Sequence, residues 1–156
     1  MAAPTRDRLI QTVVDHLEQF NKWTSDSVLK GRTTDAIHEY RPASIQGGGE
    51  LNNDALRAML DHMRTLVPEF KFVKHEVAMV DVERRKVMLY LWSRAPTKIG
   101  VYENSYVWDV TLSEDGKEIK RTIETMDSDY ANAFMSKLGL SPERPDPLKN
   151  TVLVEP

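Results

Sequence analysis

Val101-Tyr-Glu-Asn-Ser-Tyr-Val-Trp-Asp-Val-Thr-Leu112 decides how this chain is to be read. Its alternate positions separate into two sets, which is the period of a strand. Tyr102, Asn104, Tyr106 and Trp108 fall on one face, and Val101, Glu103, Ser105, Val107 and Asp109 on the other. The first face is apolar in body and polar at its tips, which suits a ligand that is mostly hydrocarbon with a few oxygens. A core strand whose tyrosines bond to the backbone would look the same.

Three more segments share this period. Phe70–Val80, Lys86–Ala95 and Glu118–Met126 read as strands, joined by turns at Asp81–Arg85 and Ser113–Gly116. In Lys86–Ala95, Val87, Leu89 and Leu91 oppose Met88, Tyr90 and Trp92. In the last strand Thr122 and Glu124 oppose Ile119, Arg121 and Ile123. If Glu124 faces the interior, it needs a partner or a raised pKa, and either suits acid–base work. An exposed Glu beside Lys120 is the competing reading.

Upstream, the period is helical. Leu9, Ile10, Val13, Val14, Leu17 and Phe20 form one stripe after a candidate cap at Thr5. A short helix is expected over Ser25–Lys30, closed by Gly31. A third starts at Asn52 or Asn53, carries Leu56, Met59, Leu60, Met63 and Leu66, and stops at Pro68. Arg32–Pro42 reads as a connector or short edge strand, and Ser44–Leu51, with three glycines, as a mobile loop. Ser128 is the expected cap of a last helix ending at Gly139, with Tyr130, Phe134 and Leu138 inward. Helices followed by long antiparallel strands make an α+β domain. Strands of about 33 Å twist, curl around the helices and leave one central pocket. The domain spans 1–140, and Pro142, Pro145, Pro147 and Pro156 make 141–156 a proline-rich tail.

Composition narrows the chemistry. The 156 residues include no cysteine, which excludes disulfides, thiolate zinc and a thiol nucleophile. A net charge of −3 gives no general attraction to nucleic acid. No apolar run is long enough for a signal peptide or membrane span, so a soluble cytoplasmic protein is expected, with no membrane partner. There is no phosphate-binding glycine loop after a strand, no helical metal-ligand pair and no nucleophile elbow; a site with no metal and no cofactor is expected. Tyr, Arg, Glu and His remain. Arg32 could pair with Glu124 or grip a substrate oxygen. His38 is the one histidine considered for catalysis; His16 and His62 read as surface or interface, and the face of His75 is open. Both strand faces carry large residues, so a homodimer packed sheet to sheet is expected, with cover by the tail as the alternative.

The stretches Arg32-Thr-Thr-Asp-Ala-Ile-His38, Pro42-Ala-Ser44, Gly100-Val-Tyr102-Glu-Asn104-Ser-Tyr106, Ile119–Glu124, Asp127 and Ser128-Asp-Tyr130 resemble the NTF2-like (SnoaL-like) superfamily. They look closest to a fungal branch that includes meroterpenoid isomerases, a xanthone isomerase and an indole-alkaloid semipinacolase. The resemblance covers about residues 5 to 140 and implies a cone-shaped barrel with a curved antiparallel sheet wrapped around the N-terminal helices. It maps the residues implicated in semipinacolase-type members onto Arg32, Tyr102, Tyr106 and Glu124. Ser105 departs from the Asn-Glu-Tyr of many relatives, on the face away from the pocket. The implied function is a cofactor-independent isomerase or cyclase acting on a polycyclic small molecule. Arg32 and Glu124 would form a charged pair, Tyr102 and Tyr106 would steer an oxyanion, and Tyr90, Trp92, Asn104, Trp108 and Thr122 would hold the substrate. A dehydratase or aldol-type polyketide cyclase using His38, with Asp35, is one alternative. A non-catalytic binding or dimerisation module is the other.

Overall fold

A computed structural model of the chain describes residues 2–139. Helix α1 (Arg6–Phe20) is capped by the Thr5 hydroxyl, which accepts from the Arg8 N–H, and buries Leu9, Val13, Leu17 and Phe20. Helix α2 (Ser25–Leu29) has a reciprocal capping box between Thr24 and Ser27. Helix α3 (Asn53–Leu66) is capped by Asn52 and buries Leu56 and Leu60. The last helix, α4 (Ser128–Leu138), takes Asp127 rather than Ser128 as its cap, because the Asp127 carboxylate reaches the Tyr130 N–H. It ends on Gly139 at φ 101°, a left-handed position that glycine adopts without Cβ strain.

Between the helices lies one sheet of six strands: β1 (Arg32–Arg41), β2 (Gly49–Leu51), β3 (Lys71–Asp81), β4 (Lys86–Thr97), β5 (Gly100–Leu112) and β6 (Ile119–Met126). Their spatial order is β2-β1-β6-β5-β4-β3. This is an α+β architecture with a curved, unclosed sheet. Of the two readings of Arg32–Pro42, connector or short edge strand, the strand holds, but it lies inside the sheet rather than at its edge. It is a ten-residue strand paired antiparallel to β2 and parallel to β6. The end of the expected loop, Gly49–Leu51, is β2 itself.

The sheet's inner face carries Val87, Leu89 and Leu91 of β4 and Tyr102, Tyr106, Trp108 and Val110 of β5, all buried. Helix α1 packs over β3 and β4, and α3 over β1. The outer face carries Tyr90 at 42% exposure, Val73 at 60% and Met79 at 54%. The proline-rich tail expected over 141–156 lies outside the described residues.

Candidate active site

The inner sheet, α3, α4 and the segment after β1 enclose a cavity of about 1030 Å³ including its open mouth. Apolar groups supply most of the wall, including Phe20, Trp23, Phe70 and four methionines, Met59, Met63, Met126 and Met135. Unbranched thioethers adapt to irregular ligands. The polar groups facing it are few: Tyr40, Gln46, His62, Tyr102, Tyr106, Glu124 and Asn132.

Glu124 is the only carboxylate among them and is 5% exposed. β6 presents it between Tyr40 of β1 and Trp108 of β5, its neighbours in register. The Trp108 indole N–H donates to Glu124 Oε1 at 2.7 Å. The His38 Nε2 lies 3.3 Å from Oε2. Both carboxylate oxygens are thus held from beneath, and the group is aimed rather than mobile. Three phenols stand around it. Tyr106 bonds the Ser93 hydroxyl at 2.8 Å, and Tyr102 accepts from Asn104 Nδ2 at 2.8 Å. Tyr40 packs tilted against His38 with ring centroids 4.7 Å apart. Burial above all pushes the Tyr40 and Tyr106 hydroxyls well above the usual phenol range, with the Glu124 charge adding to it. Burial raises Tyr102 too, opposed by its bond from Asn104.

A buried polar layer lies beneath. Arg32 is 7% exposed, and its Nε donates to Asn53 Oδ1 at 2.8 Å. Neither Nη has a hydrogen-bond partner among the described residues. Burial brings its pKa down to about 10, still a cation at neutral pH. His16 packs against Trp108 at 6.2 Å. Desolvation, then the Arg32 charge, lowers its pKa to about 3, so it is neutral. Among the described residues, no cluster of three or more His, Asp or Glu is arranged to hold a metal ion, and no helix is long and apolar enough to cross a membrane.

Several expectations change. Tyr102, Tyr106 and Glu124 converge on the cavity, and His38 supports Glu124 from behind. Arg32 forms no ion pair with Glu124; the carboxylate's partners are His38 and Trp108. Tyr90 and Trp92 lie on the outer face, because they alternate with the buried Leu89 and Leu91; Trp92 lies under the Lys74 ammonium instead. Trp108 and Thr122 are fully buried below the cavity, Trp108 positioning Glu124. Asn104 ties Tyr102 to the Asp127 carbonyl without lining the cavity. His16 is buried rather than superficial, and the exposed His62 stands at the cavity wall. His75 is exposed. Asp35 is exposed and bonded by Thr33, outside any site with His38. Tyr130 is 38% exposed and stacks on Tyr102. Tyr40 is the site residue that sequence did not single out. Its signal is the alternation Ala36, His38, Tyr40 along β1.

No family model matches the chain. Austinoid biosynthesis clusters protein J of Penicillium brasilianum is 27% identical over 126 residues, covering 80% of this chain and 73% of that protein. Among solved structures, the BvnE pinacolase from Penicillium brevicompactum superposes with a TM-score of 0.78 at 29% identity, covering 86% of this chain and 96% of that one. An NTF2-like protein from Burkholderia pseudomallei, 18% identical, gives 0.67 over 86% of this chain and 98% of that one. This chain has the NTF2-like fold and resembles fungal secondary-metabolite biosynthesis proteins.

Proposed function

We propose that this NTF2-like chain is a cofactor-independent isomerase or cyclase that rearranges a polycyclic secondary-metabolite intermediate by acid–base chemistry. The observation that carries this reading is Glu124: one carboxylate, fixed by Trp108 and His38, at the floor of an apolar cavity and ringed by three phenols. A buried carboxylate held at both oxygens is a base set for one proton, and phenols are acids for an oxygen. Among the described residues no Lys or Arg side chain lines the cavity, so the fitting substrate is neutral and largely hydrocarbon. The likeness to a pinacolase and to an austinoid-cluster protein supports a semipinacol-type, epoxide-opening or keto–enol rearrangement. The methionine-rich wall holds one fold of the substrate, and selecting one migrating bond over another by tenfold needs about 1.4 kcal/mol.

The dehydratase reading is weaker, since Asp35 lies outside the cavity and His38 is not in its wall. A passive binding module leaves the aimed carboxylate unexplained. We also propose a homodimer formed through the outer sheet face, supported by the exposure of Val73, Met79, Tyr90 and Val101.

The test is incubation of the protein with polycyclic epoxide, hydroxy-epoxide and ketone intermediates, with products resolved by chiral chromatography. Glu124→Gln keeps the shape and removes the base. It should lower the catalysed rate about 10²-fold or more and return the product ratio to that of the uncatalysed reaction. An unchanged rate and ratio in Glu124→Gln would refute the proposal.

A further inference from the structure

Tyr40 stands on the inner face of β1, two residues beyond His38. The parallel pairing of β1 with β6 sets it directly beside Glu124. Paired residues on neighbouring strands share a face about 4.8 Å apart, so phenol and carboxylate reach the same part of the cavity. Tyr40 lines that cavity, and its hydroxyl has no hydrogen-bond partner among the described residues. The other two phenols are engaged, Tyr106 with Ser93 and Tyr102 with Asn104. The Glu124 charge raises the Tyr40 pKa and the Arg32 charge lowers it. The Arg32 guanidinium is anchored through Nε to Asn53 and leaves both Nη groups without partners, yet it does not reach the cavity wall. A buried cation with no carboxylate is costly to keep. An anion that forms only during reaction would give it a purpose.

We propose that Tyr40 is the proton donor to the substrate's oxygen and that Arg32 is a positioning residue acting through it. This rests on the acid–base reading above. For a hydroxy-epoxide, the Tyr40 O–H bond breaks as its proton joins the epoxide oxygen and the C–O bond opens. A neighbouring carbon migrates with its bonding pair to the vacated carbon. The carbinol carbon becomes a carbonyl as its hydroxyl proton passes to Glu124. The proton then moves from Glu124 to the Tyr40 phenolate, and the sum is an isomerisation with no co-reactant. At rest, burial and the Glu124 charge keep the proton on Tyr40. The Arg32 charge opposes them and lowers the cost of the phenolate.

The test uses trans-1-decalone labelled with ¹³C at its carbonyl, a neutral bicyclic ketone. Binding is followed through the methyl resonances of Met59, Met63, Met126 and Met135. A hydrogen bond from Tyr40 should move the bound carbonyl resonance downfield. The displacement should vanish in Tyr40→Phe, persist in Tyr102→Phe, shrink in Arg32→Met and recover in Arg32→Lys. With 3-fluorotyrosine at position 40, which preserves packing and acidifies the phenol, it should grow; this arm decides the matter if Tyr40→Phe does not fold. A displacement that survives Tyr40→Phe, disappears only in Tyr102→Phe, or is indifferent to fluorination overturns the assignment of Tyr40. A ketone that leaves every one of those methionine methyls of the wild type unmoved overturns instead the neutral, apolar substrate class on which the proposal rests. With a turned-over substrate, Tyr40→Phe should lose about 10²-fold in rate.

Discussion

Replacing His16 by Leu should make the protein more resistant to mild acid. His16 is 5% exposed, packed edge to face on Phe20 and tilted against Trp108, with Arg32 nearby. Its pKa falls from 6.5 to about 3, mainly by desolvation. A base whose folded pKa is lowered stays neutral in the native state while the unfolded chain takes up a proton. Stability is therefore full above pH 6.5 and is lost progressively down to about pH 3. Each pH unit in that window is worth about 1.4 kcal/mol, so the step from pH 7 to pH 5 should cost about 2 kcal/mol. That is a large share of a typical domain's stability. Urea unfolding of wild type and His16→Leu at both pH values reads it. The wild type should lose about 2 kcal/mol more than the variant across the step. His62 and His75 are exposed and common to both proteins, so they cancel. Equal losses in the two proteins would show that His16 titrates normally, and would contradict its desolvation in the buried polar layer beneath the cavity.

Arg32→Met should raise stability by about 1 kcal/mol while impairing catalysis, because it removes a buried cation that no carboxylate compensates; a clear loss of stability in urea unfolding would contradict this. Gly48→Ala should reduce thermal stability and ligand binding together. A Cβ there would collide with the Ile45 side chain, and Ile45 is part of the cavity wall; an unchanged melting temperature would show that the segment yields freely. Tyr90→Lys should shift sedimentation from dimer to monomer without altering the far-ultraviolet spectrum, since Tyr90 lies on the outer sheet face; an unaltered sedimentation coefficient would place the dimer elsewhere or remove it.

Local chemistry alone fixed much of this molecule. The 3.6-residue stripe of Leu9, Val13, Leu17 and Phe20, the caps at Thr5 and Asn52, and the left-handed Gly139 are decided within a few residues. The two-residue period of β5 and β6 also separated Tyr102 and Tyr106 from the opposite face, and Glu124 from Ile123. Such patterns need no knowledge of neighbours, because each face of a strand repeats in sequence.

Which face of β4 points inward was not decided in that way, since Val87-Leu89-Leu91 and Met88-Tyr90-Trp92 are both large and apolar. The helices, packed on one side only, settled it and moved Tyr90 and Trp92 out of the site. Partners across the sheet were likewise out of reach. β1 and β6 are separated by some eighty residues yet lie side by side, and that parallel pairing joins His38 and Tyr40 to Glu124. The long-range pairing also left Arg32 on Asn53 instead of the carboxylate. Sequence thus determined the helices, the strands β3 to β6 and which residues share a face, because propensity and periodicity are local. Tertiary structure alone decided which acid, base and charge meet, because that depends on strand order and register between residues far apart in the chain.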